Sequence, residues 1–129
     1  MGGKILVVDD NATNVRLTRV VLESEKYEVH EAFDADQALK ILADMLPDLI
    51  LMDITMPGMD GLTLTRRLKT DPRLKAIPIV AVSSLAMKGD DQKALAAGCD
   101  AYITKPIDTR RLPAQVLEWL GAGSKKSPD

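Results

Sequence analysis

Short apolar runs recur along the chain, and between them apolar residues fall at helical spacing. The run KILVV (4–8) has no polar alternation, the pattern of a strand covered on both faces. In NATNVRLTRVVLESE, Leu17, Val20 and Val21 fall at helical spacing, and Asn11 is placed to cap that helix. YEVHEA (27–32) alternates like a strand with one wetter face. DADQALKILADML carries Asp34 as N-cap, Gln37 three residues on, and a stripe of Ala35, Ala38, Leu39, Leu42 and Leu46. PDLILMD (47–53) is a second fully apolar strand, and like the first it stops at an aspartate. The Pro- and Gly-rich ITMPGMDG reads as a loop, and a helix with Leu64 and Leu68 runs from it to TDP. IPIVAVSS (77–84) is a third buried strand, and MKGDDQKALAAG is a polar helix that Gly98 stops. DAYITKP (100–106) is a last strand. In the closing helix, IDTRRLPAQVLEWL, Leu112, Val116 and Leu120 face inward, and Pro113 is late enough to predict an irregular start.

Five strands alternating with five helices predict an α/β fold: a parallel sheet with right-handed crossovers and helices on both faces. No internal repeat, linker or second domain is visible. Residues 1–121 therefore read as one domain, and 122–129 as a disordered polar tail. A length of 129 residues suits a single core. A net charge of −2 and 3% aromatic residues argue against a basic or base-stacking surface, so no direct nucleic-acid partner is expected. No apolar run is long enough to span a bilayer. The lone Cys99 rules out an internal disulfide and fits a reducing cytoplasm.

The candidate chemistry lies where strands end. In doubly wound sheets, active groups collect beyond the carboxyl ends of the strands. Here those ends carry Asp9 and Asp10, then Asp53, then Ser83, then Lys105. In the flavodoxin-like order 2-1-3-4-5, the strands ending at Asp9/Asp10 and at Asp53 are neighbours. Three carboxylates about 4 Å apart repel by roughly 4 kcal/mol per pair at an effective dielectric near 20. A hard divalent cation resolves this, and magnesium does so with few carboxylates, several waters and phosphate oxygens. With a lysine and a hydroxyl beside it, such a site can neutralise a phosphoryl group moving onto Asp53.

The segments ILVVDDN, PDLILMDITMPGMDG, IPIVAVSS and GCDAYITKP, in this order and spacing, resemble the response-regulator receiver domain of two-component signalling. The resemblance covers about residues 4–120; its extent is that of stand-alone regulators, and SSLAMKGDDQKALAAGCDAYITKPI is most like the cell-cycle, polarity-control subgroup. It implies Asp53 as phosphoacceptor, Asp10 as direct magnesium ligand, Asp9 as a ligand mostly through water, and the Thr55 carbonyl as a third protein ligand; manganese is the alternative ion. Ser83 matches the switch hydroxyl, Lys105 the lysine paired to the acceptor, and Tyr102 the aromatic that swings inward. Pro106 implies a cis Lys105–Pro106 bond. Thr55, Ser84 and Leu85 border the phosphoryl, and none is acidic or an amide, so a fairly long-lived phosphoryl state is expected. The implied partners are a sensor histidine kinase or histidine phosphotransfer protein and a downstream protein bound through the 87–120 face. The implied species is a monomer or weak homodimer that catalyses only its own phosphoryl transfer and slow dephosphorylation.

Each residue has a blander reading. Asp9 and Asp10 alone would be caps of the first helix, Lys105 alone a solvated lysine, and Tyr102 alone a half-buried strand residue. His30 reads as an incidental strand residue with no partner, and Cys99 as a small buried one. Among rival functions, an aspartyl-phosphate phosphatase would carry a second acid where Thr55 stands. A flavin carrier would need a phosphate-cradling loop where the acidic DDNATN lies. A degenerate receiver that only binds protein would not keep the full set of acid, hydroxyl and lysine.

Overall fold

The computed structural model describes residues 3–54, 61–83, 90–104 and 107–125. Its strands are β1 (Lys4–Val8), β2 (Glu28–Ala32), β3 (Leu49–Asp53), β4 (Ile79–Ser83) and β5 (Ala101–Thr104). Helices α1 (Ala12–Ser24), α2 (Ala35–Asp44), α3 (Gly61–Lys69), α4 (Asp90–Ala97) and α5 (Leu112–Lys125) alternate with them. All strand pairs are parallel, in the order β2-β1-β3-β4-β5. The α/β class, the strand order and the alternation are those expected. Among the described residues no helix is long and apolar enough to cross a membrane.

The central strands are apolar because both of their faces are covered. One face of the sheet, with Leu6, Val8, Ile50, Met52, Ile79 and Ala81, packs on Ala38 and Leu42 of α2, Leu64 and Leu68 of α3 and Ala94 of α4. The other face, with Ile5, Val7, Leu49, Leu51, Val80 and Val82, packs on Val15 and Leu22 of α1 and on Leu112 and Val116 of α5. Each buried Leu, Ile, Val or Met side chain among these contributes about 1.5–3 kcal/mol.

The caps behave as read. Asn11 Oδ1 accepts from Asn14 N at 3.1 Å, and Asp34 Oδ1 accepts from Gln37 N at 2.8 Å. Gln37 reaches back one residue further than a simple capping box, its Oε1 accepting from Phe33 N at 2.8 Å. The irregular start before Pro113 is a turn in which Asp108 O accepts from Arg111 N and Leu112 N. Pro113 thus falls in the first turn of α5, where no N–H is needed.

Several readings differ from the structure. The inward stripe of α1 is Val15, Thr18 and Leu22, whereas Leu17 and Val20 are 47% and 60% exposed. The helix carries more aliphatic residues than one face holds, and a threonine takes a core position. Leu46 lies beyond the end of α2, after an extended Met45, and is half exposed. His30 does have a partner: its Nε2 lies 2.6 Å from Glu28 Oε2, two residues away on the same side of β2. That contact holds the Glu28 carboxyl below its usual range. The helix α5 also continues to Lys125, into the stretch read as tail. Adding residues to an existing helix is easy, so Gly121 and Gly123, at a cost of about 1 kcal/mol each, do not end it.

Candidate functional site

The site grows from the carboxyl ends of β1 and β3. Val8 pairs with Met52 in the ladder, so the residues that follow, Asp9 and Asp53, emerge together at the rim. Asp9 prolongs the β1–β2 ladder by donating its N–H to Ala32 O at 3.0 Å, and its Oδ1 accepts from Asn11 N at 2.8 Å. The turn into α1 is thereby fixed, and Asp10 is left exposed between a buried Asp9 and the cap residue Asn11. Asp53 is buried at the end of β3, and the next N–H, of Ile54, donates to Val82 O at 3.1 Å. One carboxylate oxygen from each of Asp9, Asp10 and Asp53 lies within 4.8 Å of the other two. Residues forty-odd positions apart in sequence are therefore close enough to grip one ion.

This donor set is all oxygen and triply anionic, with two buried members and one open to solvent. It fits a hard divalent cation that keeps part of its water shell. A soft thiophilic metal finds no thiolate among the described residues here, because Cys99 packs against Thr65 Oγ1 at 3.8 Å instead. Burial also pushes the Cys99 thiol up, away from the thiolate that binds metals.

Ser83 closes β4 and is fully buried, one step beyond Val82, the register partner of Asp53. Tyr102 lies on β5 opposite Ala81 and packs against the core beneath α2, α3 and α4. Its hydroxyl is buried and finds no hydrogen-bond partner among the described residues. Thr55, Ser84, Leu85, Lys105 and Pro106 lie outside the described residues.

One residue at the site escapes the sequence reading. Gly61, the first residue of α3, falls at the end of the stretch read as a loop. It is buried, and a Cβ there would lie 2.1 Å from the carbonyl oxygen of Asp53. A glycine at the head of a helix gives no local sign of such an approach.

Comparison with known proteins places these features among relatives. The model of the response regulator receiver domain matches residues 5–117. Over 116 residues the chain is 47% identical to the response regulator PleD of Caulobacter vibrioides, covering 90% of this chain but 26% of PleD. It is 40% identical to the polar-differentiation response regulator DivK of Brucella anthropi, covering 94% of this chain and 98% of DivK. Among solved structures, the receiver domain of the sensor histidine kinase PA1611 from Pseudomonas aeruginosa, with a magnesium ion coordinated in its active-site cleft, superimposes with a TM-score of 0.85. That structure is 32% identical and covers 94% of this chain and 99% of its own.

Proposed function

Because this chain belongs to the response regulator receiver domain family, we propose that it accepts a phosphoryl group on Asp53 from a phosphohistidine of a partner protein. The observation that carries this reading is the meeting of Asp9, Asp10 and Asp53 within 4.8 Å. Asp10 and Asp53 would hold magnesium directly and Asp9 through water, with the Thr55 carbonyl as a further ligand. When bound, the ion neutralises the crowded carboxylates and the phosphoryl oxygens.

The chain's own groups then have defined tasks. A carboxylate oxygen of Asp53 attacks phosphorus in line, the P–N bond breaks, and the imidazole leaves with the electron pair and takes up a proton. The product is an acyl phosphate. The burial of Asp53 limits water at that oxygen. Ser83 donates its hydroxyl to the phosphoryl, and Lys105 balances the added charge. With Ser83 drawn to the rim, the population in which Tyr102 fills the inner position rises. The face formed by residues 87–120 changes with it and binds a downstream protein. Leu95 of α4 and Leu117 of α5, both more than half exposed, supply apolar contacts on that face. The residues around the phosphoryl, Thr55, Ser84 and Leu85, include no acid or amide to orient water, which favours a long-lived acyl phosphate.

The test is incubation with acetyl phosphate and MgCl₂, followed by intact mass and peptide mapping. The expected product carries one phosphoryl, on Asp53, and EDTA prevents its formation. Labelling elsewhere, or equal labelling in EDTA, overturns the reading. An acyl-phosphate lifetime of seconds in the purified protein would overturn the persistence alone.

A further inference from the structure

We infer that Gly61 is a positioning residue for the phosphoacceptor: helix α3 bears on the main chain of Asp53, and only a residue without a side chain lets the two meet. This rests on the proposed role of the Asp9, Asp10 and Asp53 cluster and adds to it the device that fixes where the Asp53 carboxylate stands.

The contact is backbone on backbone. A Cβ at Gly61 would lie 2.1 Å from Asp53 O, 2.8 Å from Asp53 C and 2.7 Å from Ile54 Cα. Relief requires a shift of more than about 1 Å, because non-bonded heavy atoms settle near 3.5 Å. No flexible side chain is there to move aside. One of the two main-chain segments must yield.

The helix is poorly free to do so. Leu64, Thr65 and Leu68 are buried along its inner face. Its far end is tied down by Lys69, whose Nζ donates to Asp100 Oδ2 at 3.0 Å, Ile77 O at 3.0 Å and Lys75 O at 3.2 Å. An added methyl therefore presses on the Asp53–Ile54 peptide. That peptide is pinned on its other side by the bond from Ile54 N to Val82 O. The remaining response is a displacement of Asp53 itself, and its carboxylate is one of three that must converge on one ion.

Magnesium demands near-ideal octahedral geometry, so such a displacement weakens binding more than it weakens the fold. Mispositioning by about 1 Å costs about 10²-fold in catalysis when reacting groups must be aligned.

Gly98 supplies the matching control at the opposite end of the sheet. Its φ is +110°, and a Cβ there would lie 2.9 Å from Lys69 Cγ. Gly98→Ala thus also strains the chain next to α3, but remote from the carboxylates.

The experiment compares wild type, Gly61→Ala and Gly98→Ala by calorimetric titration with MgCl₂ and by the rate of labelling with acetyl phosphate at saturating magnesium. Urea unfolding gives the stability of each. Gly61→Ala is expected to weaken magnesium binding about tenfold or more and to slow labelling at saturating metal. Gly98→Ala is expected to lose stability yet bind magnesium within about twofold of wild type. Equal weakening in both variants would make the effect one of general stability and overturn the inference. So would wild-type affinity in Gly61→Ala. Failure of the wild type itself to bind magnesium would instead overturn the functional reading beneath it.

Should Gly61→Ala give no folded protein, the decision passes to the wild type. Its Gly61 Cα resonance is expected to move on magnesium saturation while that of Gly98 stays. A Gly61 signal that does not move overturns the inference.

Discussion

The two rims of the sheet use aspartate in opposite ways. At the amino ends of the strands, Asp48 Oδ2 accepts from Lys4 N at 2.8 Å. Asp100 Oδ2 accepts from Ile79 N at 2.9 Å and from Lys69 Nζ at 3.0 Å. The ammonium of Lys69 has three acceptors for its three protons, so charge and hydrogen-bonding capacity are both matched. At the carboxyl ends, Asp9, Asp10 and Asp53 are brought within 4.8 Å of one another, like charge against like charge. One rim is built for stability. The other gathers carboxylates in the arrangement that the proposed metal site requires.

The largest separation of the two rims should come from exchanging single carboxylates. Asp53→Asn keeps the shape and removes one charge of the crowded rim. It is expected to abolish labelling by a phosphodonor and to leave the urea midpoint in EDTA unchanged or higher. Asp100→Ala should do the reverse. It strips the partner from a largely buried lysine and from Ile79 N–H, at about 2–3 kcal/mol in urea unfolding, with the labelling rate per folded molecule intact. If Asp53→Asn proved as destabilising as Asp100→Ala, the distinction between the rims would fail.

That contrast was only half legible in the sequence. Runs such as KILVV and PDLILMD that stop at aspartates gave the strands, because apolar periodicity acts locally, while the strand order and the acidic rim followed from the flavodoxin-like topology and the rule for doubly wound sheets. The caps Asn11 and Asp34 were readable for the same reason. The opposite rim was not. Lys69 and Asp100 are thirty-one residues apart, and neither has a local pattern that announces the other. On α1 the aliphatic residues misled, because Leu17 and Val20 face water while Thr18 is buried. The Glu28–His30 contact was available to a reading of same-face neighbours in a strand. The role of Gly61 was not, since it depends on how closely α3 approaches β3.

Smaller effects sharpen the account of the amino rim. Gly98→Ala forces a side chain into a φ of +110° and onto Lys69, and should cost about 1–3 kcal/mol by urea unfolding. Its neighbour Cys99 supplies a pH test. Burial pushes the thiol up from its ordinary value of 9.0, so the folded state favours the protonated form. The stability from this group is complete below the unfolded value and is lost as pH rises through it toward the folded one. The urea midpoint of the wild type should therefore fall more between about pH 8 and about pH 10 than that of Cys99→Ala. An identical fall in both would place the thiol in water.

The smallest expected change tests whether the amino rim is fully optimised. Two helices stop there by the same hydrogen-bond pattern. In α4, Gly98 N donates to Leu95 O and Cys99 N to Ala94 O, both at 3.0 Å. In α1, Lys26 N donates to Glu23 O at 3.0 Å and Tyr27 N to Leu22 O at 3.2 Å. Gly98 takes the left-handed position without strain, whereas Lys26 adopts a φ of 71° with a side chain attached. That conformation costs a non-glycine residue roughly 1 kcal/mol, partly offset because glycine also loosens the unfolded chain. The Lys26 side chain is exposed at a shallow groove with Lys4, Glu28, Leu46 and Asp48, so its removal sacrifices little packing. Lys26→Gly should therefore raise stability by less than about 1 kcal/mol and leave phosphodonor labelling untouched. A loss of stability would mean that the Lys26 side chain makes a contact at this rim that outweighs the strain of its backbone.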